Sequence, residues 1–310
     1  MKRSAVSRAI LWELKTNRYQ SIAVIALIAM VVLLSFGCAG RDRDSFGIDL
    51  PLAQSQVISL TLESECMERE MPFMVYFPQG YGGGDAYPVW YALHGYGSTE
   101  SMWLDAGIGK AADELIEGGE IDPMIMVFPL TRYDSLEIIQ ADLADGKREE
   151  SRMDRFLCEE LIPYIDARCD TIASSECRYI GGFSMGGMIA LRTAFHHPDL
   201  FGKAGGYSPA MPSSEYSGTQ FEEWLYPNDT FEEVDVAALA RENSLTSLKV
   251  WLDCGTANDP FSEPIQSLRD ALRKRGIPAE FRLYDGGHDI HNVMDNIEEC
   301  LTFYSGGEIE

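Results

Sequence analysis

The sequence predicts an α/β fold with a mostly parallel central sheet and helices on both faces, and three observations predict it. Short apolar runs of strand length alternate with stretches of helical spacing between residues 57 and 304. A glycine-rich turn, Gly181 to Gly187, joins one such run to one such stretch. An apolar fraction of 45% over 310 residues is enough for the core of one large α/β domain.

The elements follow in order. Val57 to Leu62 and Phe73 to Phe77 read as two early strands, followed by the glycine-rich turn Gly80 to Asp85. Val89 to Leu93 is a buried strand ending in His94-Gly95-Tyr96-Gly97, and Met124 to Phe128 is another, closed by Pro129. Ser151 to Ala167 has helical apolar spacing at Phe156, Leu157, Leu161 and Ile165, with Pro163 placed to kink it. Arg178 to Ile180, Lys203 to Tyr207, Leu248 to Leu252 and Glu280 to Tyr284 complete the strands. Met188 to Ala194, Ile265 to Arg275 and Ile290 to Tyr304 read as helices. Two polar, acidic segments interrupt the alternation, Thr131 to Glu150 and Met211 to Ser247. Both follow strands at the end of the sheet where such folds bind ligands, so each reads as a cap over the site or a surface excursion.

The turn carries the chemistry. In Gly182-Phe183-Ser184-Met185-Gly186 a strand passes sharply into a helix, the layout of a nucleophile elbow. Glycines are required because the chain crosses itself closely beside a serine held in strained backbone angles. The turn exposes the Ser184 hydroxyl and aims the Met185 N–H at the place where an oxyanion forms. This points to an α/β-hydrolase fold.

A serine hydroxyl needs a base to take its proton, and the base needs a third group to fix its tautomer. The chain has five histidines. His196 and His197 end the helix after the elbow, His291 begins the last helix, and His94 is placed to brace a loop. His288 remains, in the loop Asp285-Gly286-Gly287-His288 after the last strand. The acid in this fold lies between serine and histidine. Asp259, beyond the turn Gly255-Thr256-Ala257-Asn258, is favoured; Asp253, adjacent to the strand, is the second choice. The loop after Val89 to Leu93 supplies a second oxyanion donor, the Tyr96 N–H.

The N-terminus reads as a targeting element. Five basic residues and one acid lie in residues 1–20, and Ile22 to Phe36 is an unbroken run of apolar and small residues. Leu33-Leu34-Ser35-Phe36-Gly37-Cys38 resembles a bacterial lipoprotein box, with lipid attachment at Cys38; an uncleaved anchor and plain secretion are the alternatives. All three place the domain outside the cytoplasm, behind a polar tether at 41–55. Six cysteines remain, Cys66, Cys158, Cys169, Cys177, Cys254 and Cys300. They read as disulfides or as buried thiols, with Cys169 and Cys177 close enough in sequence to bridge a loop. Their spacing defines no metal site.

The net charge is −24. Beyond residue 20 the chain holds 20 basic and 48 acidic residues, a net of −28. Such a surface repels phosphate backbones and excludes nucleic acid as a partner; it reads as a solubility or salt adaptation.

Five stretches occur in the order seen in the esterase D-like family of α/β hydrolases: Arg69 to Tyr81, Tyr87 to Gly95, Gly182 to Gly187, Gly255 to Asp259 and Gly287-His288-Asp289. Over residues 57–304 the chain resembles that family, which is similar to feruloyl and acetyl-xylan esterases, short-chain acyl esterases and mycolyltransferases. The resemblance implies Ser184 as nucleophile, His288 as base, Asp259 as acid, and Tyr96 and Met185 as oxyanion donors. It implies no cofactor or metal, and a small-molecule or polysaccharide-linked ester as substrate. Trp103 stands where members often hold a tryptophan and is expected to pack. Acyl transfer to a sugar or lipid alcohol, and an inactive binding protein on the same scaffold, stay open as alternatives.

Overall fold

A computed structural model of the chain describes Phe46, Ile48 and residues 50–131, 150–211 and 236–305, all within one compact unit, Ser45–Glu310. The leader 1–40 with Cys38, and most of the two segments expected to cap the site, lie outside the described residues. Eight strands form one sheet in the order β1-β2-β4-β3-β5-β6-β7-β8. They are β1 (Gln56–Ser64), β2 (Arg69–Phe77), β3 (Val89–Leu93), β4 (Ile125–Pro129), β5 (Arg178–Phe183), β6 (Lys203–Tyr207), β7 (Lys249–Gly255) and β8 (Ala279–Tyr284). β1 and β2 pair antiparallel, as do β2 and β4, and the remaining pairings are parallel. The expected mostly parallel α/β architecture is the observed one.

Every residue of β3 and β4 is buried, because helices cover both faces. The period of two sorts their side chains into two cores. Val89, Tyr91, Leu93, Ile125 and Val127 enter the core on one face. Trp90, Ala92, Met126 and Phe128 enter the other. The helices, in chain order, are α1 (Met102–Asp105), α2 (Ile108–Gly118), α3 (Glu150–Arg155), α4 (Ile162–Arg168), α5 (Met185–His196), α6 (Val236–Glu242), α7 (Ser262–Lys274), α8 (Ile290–Met294) and α9 (Ile297–Ser305).

Four segments differ from the sequence reading. The helix expected over 151–167 is interrupted by a π-helical segment, Phe156–Leu161, just before Pro163, whose ring has no N–H to continue the ladder. The closing helix is split in two, α8 and α9, with Asp295 and Asn296 between them. The end of the Met211–Ser247 segment is not an excursion: Val236, Leu239, Ala240 and Leu245 are buried in the core. Of the stretch expected to be a tether, Ile48 is buried and Phe46 lies 6.3 Å, centroid to centroid, from Phe77, while the Leu52 N–H donates to the Tyr81 carbonyl. All six cysteines outside the leader are free thiols, so Cys169 and Cys177 form no bridge.

Candidate active site

β5 delivers Ser184, the expected nucleophile. It lies centrally, paired to β3 and β6, and runs on through Gly181 and Gly182 to Phe183, beyond the point where glycines suggested an end. Ser184 follows with φ 54° and ψ −118°, outside the regions a serine ordinarily occupies. Three bonds hold it there. Its N–H donates to the Tyr207 carbonyl, and its own carbonyl accepts from the N–H groups of Met188 and Ala210. A β-carbon on Gly182 would lie 2.5 Å from the Gly186 carbonyl oxygen and 2.8 Å from that of Leu93, so this crossing admits only glycine.

α5 starts at Met185, the first helical residue, whose N–H has no acceptor within the helix and lies at the positive end of its dipole. The loop after β3 lies against the nucleophile: a β-carbon on Gly95 would be 3.4 Å from the Ser184 β-carbon. His94 braces this loop as expected. It is buried, its Nε2 accepts from the Thr131 N–H at 2.9 Å, and its Nδ1 therefore carries the proton donated to the Gly95 carbonyl at 2.8 Å. Trp103 packs as expected and donates to the Leu93 carbonyl.

The loops after β7 and β8 bring the other two residues together. The Thr256 N–H donates to the Tyr284 carbonyl and the Ala257 N–H to the Gly286 carbonyl, stitching one loop to the other. Asn292 holds the Gly287 carbonyl from below. His288 Nε2 thereby stands 2.8 Å from Ser184 Oγ. Its ring stacks on Phe183, 4.9 Å between centroids, and meets the edge of Phe261 at 5.1 Å. The Asp259 side chain is buried, and its Oδ1 lies 3.7 Å from His288 Nδ1. Burial raises the Asp259 carboxyl, but the neighbouring His288 imidazole and hydrogen bonds from Ser208 and the N–H groups of Gly255 and Phe261 outweigh it and hold the group below its ordinary range.

Sequence reasoning missed Ser208, Phe183 and Phe261 as parts of the site. Ser208 Oγ stands 3.1 Å from His288 Nδ1 and also bonds the Asp259 carboxylate. Its signal was position: it follows β6, at the same end of the sheet as the elbow.

The runner-up acid does not face the histidine. Asp253 accepts from the Ser208 N–H at 2.9 Å and the Trp251 indole N–H at 2.9 Å, wholly inside the protein. Burial pushes its carboxyl up to about 7 against those two bonds, with the Asp259 charge adding to the rise. A raised folded pKa means the folded chain binds the proton more tightly than the unfolded one. This contribution to stability is complete below about pH 4 and is lost as pH rises through 7. Asp259 acts in the opposite sense, stabilising above its unfolded value and losing that as pH falls. Urea unfolding at pH 5 and pH 8 is therefore expected to show a fall of about 2–3 kcal/mol from Asp253. Asp253→Asn should remove that fall; a slope unchanged in the variant would assign it elsewhere.

A model of the family described as "Putative esterase" matches residues 64–294. The chain belongs to that family. The esterase is 30% identical over 168 residues to an endo-1,4-beta-xylanase/feruloyl esterase of Xylanibacter ruminicola, covering 52% of this chain and 23% of that protein. It is 26% identical over 247 residues to an esterase of Mycobacterium tuberculosis, covering 69% of this chain and 51% of that one. It thus spans about a quarter of the first of these curated relatives and about half of the second. A solved ferulic acid esterase superimposes with a TM-score of 0.69 at 26% identity, covering 82% of this chain and 99% of the other. An S-formylglutathione hydrolase from Agrobacterium tumefaciens gives 0.66 at 19%, covering 82% and 96%, a likeness of fold. The family and these relatives are named for ester hydrolysis.

Proposed function

We propose that this esterase works through an acyl-enzyme on Ser184, with His288 as general base and acid and Asp259 as the group that orients the imidazole. The observation that carries the reading is the 2.8 Å approach of His288 Nε2 to Ser184 Oγ, within reach for proton transfer. Ser184 Oγ attacks the ester carbonyl carbon while its proton passes to Nε2. The N–H groups of Met185 and Tyr96 hold the oxyanion. His288 then protonates the departing alcohol, and a water activated by the same imidazole releases the acid. No cofactor or metal takes part.

The named activities of the relatives make esters of aromatic acids on a polysaccharide the first substrates to test. Tyr96 is exposed, one residue beyond the glycine that abuts Ser184, and offers an aryl group an aromatic face beside the nucleophile. The leader 1–40, with Cys38 as the lipid attachment point, would hold the domain at an extracytoplasmic membrane surface, and the full chain is then expected to pellet with membranes.

A fluorophosphonate probe tests the site, and a panel of p-nitrophenyl acetate, p-nitrophenyl butyrate and methyl ferulate tests the activity. Labelling is expected on the peptide containing Ser184, together with hydrolysis of at least one ester. Labelling confined to another residue, or an unlabelled chain that hydrolyses the panel, overturns the reading.

A further inference from the structure

The side chain between the base and the acid is a second serine. Asp259 Oδ1 is 3.7 Å from His288 Nδ1, too far for a good hydrogen bond. Ser208 Oγ occupies the gap, 3.1 Å from Nδ1 on one side and bonded to Asp259 Oδ2 on the other. The proton positions follow from the acceptors. For Ser184 to give its proton to Nε2, that nitrogen must be bare, so Nδ1 carries the ring proton. Nδ1–H can then only donate to Ser208 Oγ. Asp259, held ionised by its own donors, can only accept, so the Ser208 hydroxyl proton points at the carboxylate.

The backbone around Ser208 is built to keep it there. Its φ is +44°, a left-handed value that a serine adopts at a cost. Its N–H is bound by both the Asp253 carbonyl at 3.1 Å and the Asp253 carboxyl at 2.9 Å. Two residues on, the Ala210 N–H donates to the Ser184 carbonyl. The segment is thus tied to the nucleophile at one end and to the β7 strand end at the other. Ser208 is buried, so bulk water does not compete for its hydroxyl.

We propose that Ser208 is a positioning residue that links His288 to Asp259, making the relay Ser184–His288–Ser208–Asp259. The proposal rests on the mechanism of the preceding subsection and adds a member to it. During attack the Ser184 proton moves to Nε2 and the imidazole becomes positive. Nδ1–H stays on the ring and the Ser208 proton stays on Ser208. The Asp259 charge stabilises the imidazolium through the oriented hydroxyl, and no proton leaves the carboxylate's side.

The test uses the full catalytic chain and p-nitrophenyl acetate. Ser208→Ala is expected to lower kcat roughly 10²-fold with KM within about twofold, the cost of a base free to turn away from its line. The pH profile of kcat/KM should change as well, because the group that links Nδ1 to the Asp259 charge is lost. Ser208→Gly relaxes the positive φ while also lacking the hydroxyl, and should lose activity equally. In an Asp259→Asn background, Ser208→Ala should cost little more, since both changes break the same link. A Ser208→Gly variant near wild-type turnover would show that the hydroxyl is not needed and overturn the proposal. So would full additivity with Asp259→Asn, or an Ala variant with unchanged kcat and pH profile. These outcomes differ from failure of the mechanism itself, in which the wild-type chain leaves Ser184 unlabelled.

Discussion

Ser184→Ala is expected to lower ester turnover by about 10⁴-fold or more while the chain stays folded. The loss is large because in the proposed mechanism Oγ forms the covalent bond, and Ser208 cannot take its place: its Oγ lies on the far side of the imidazole, at Nδ1. The fold should hardly notice. Alanine has the same β-carbon, so the positive φ of 54° is neither relieved nor worsened. The backbone bonds that clamp the residue, to Tyr207, Met188 and Ala210, use no side-chain atom. His288 keeps its stacking on Phe183, its contact with Phe261 and its bond to Ser208. Only one side-chain hydrogen bond, to Nε2, is removed, worth about 1 kcal/mol. Steady-state kinetics and a thermal melt together check this. Turnover within tenfold of wild type would show that another group forms the acyl-enzyme. A collapse of the melting temperature by 10 °C or more would show that the hydroxyl carries structure as well.

The sheet was legible because buried parallel strands are continuous apolar runs of a length that helices do not use. β3, β4 and β6 fell within a residue of their expected ends, although β6 starts on a charged residue, Lys203. Its ammonium enters the core to donate to the Phe303 and Tyr304 carbonyls at the end of α9, a contact a hundred residues away in sequence that no local pattern contains. β5 is longer than expected. Gly181 and Gly182 look like punctuation, yet they are strand residues paired to Gly205 and Gly206, kept small by what packs above them. α6 was hidden inside an acidic segment, where its buried residues Val236, Leu239 and Ala240 are too few to raise a helical stripe above the surrounding charge.

The site divides the same way. The meeting of Ser184, Asp259 and His288 could be anticipated because each follows a strand at the same sheet end and sits in a glycine-bearing loop, a local feature. The choice of Asp259 over Asp253 rested on reach, and the structure supplies the reason. Asp253 points into the core, where it fixes Trp251 and the Ser208 backbone, while Asp259 lies beyond a turn with Asn258 at φ +58° that swings it back toward the histidine loop. Ser208 could not be chosen. A serine before a proline is commonplace, and what distinguishes this one is a positive φ and two partners 51 and 80 residues away.

Gly186→Ala is expected to unfold the elbow, in contrast to Gly109→Ala, which should strengthen the protein. At Gly186 a β-carbon would stand 2.5 Å from the His94 carbonyl oxygen, 2.6 Å from that of Leu93 and 2.7 Å from the Leu93 carbonyl carbon. All three are backbone atoms of a central strand end and cannot rotate away. Relief requires α5 to move off β3 or the 94–97 loop to move off Ser184, and either shift also displaces the oxyanion donors. Overpacking against fixed backbone should cost about 3 kcal/mol or more, and misplacing the donors by about an ångström should cost roughly 10²-fold in kcat of the fraction that folds. Gly109 lies inside α2, where a β-carbon would meet Leu104 and Tyr76 side chains at 3.7 Å, ordinary contact. Alanine there fits, and should stabilise by about 0.5–1 kcal/mol through helix propensity and a less flexible unfolded chain. Urea denaturation of the two variants beside wild type checks both signs at once. A Gly186→Ala chain as stable and active as wild type would mean that α5 does not pack against the end of β3 as closely as drawn, and the whole geometry of the elbow would have to be given up.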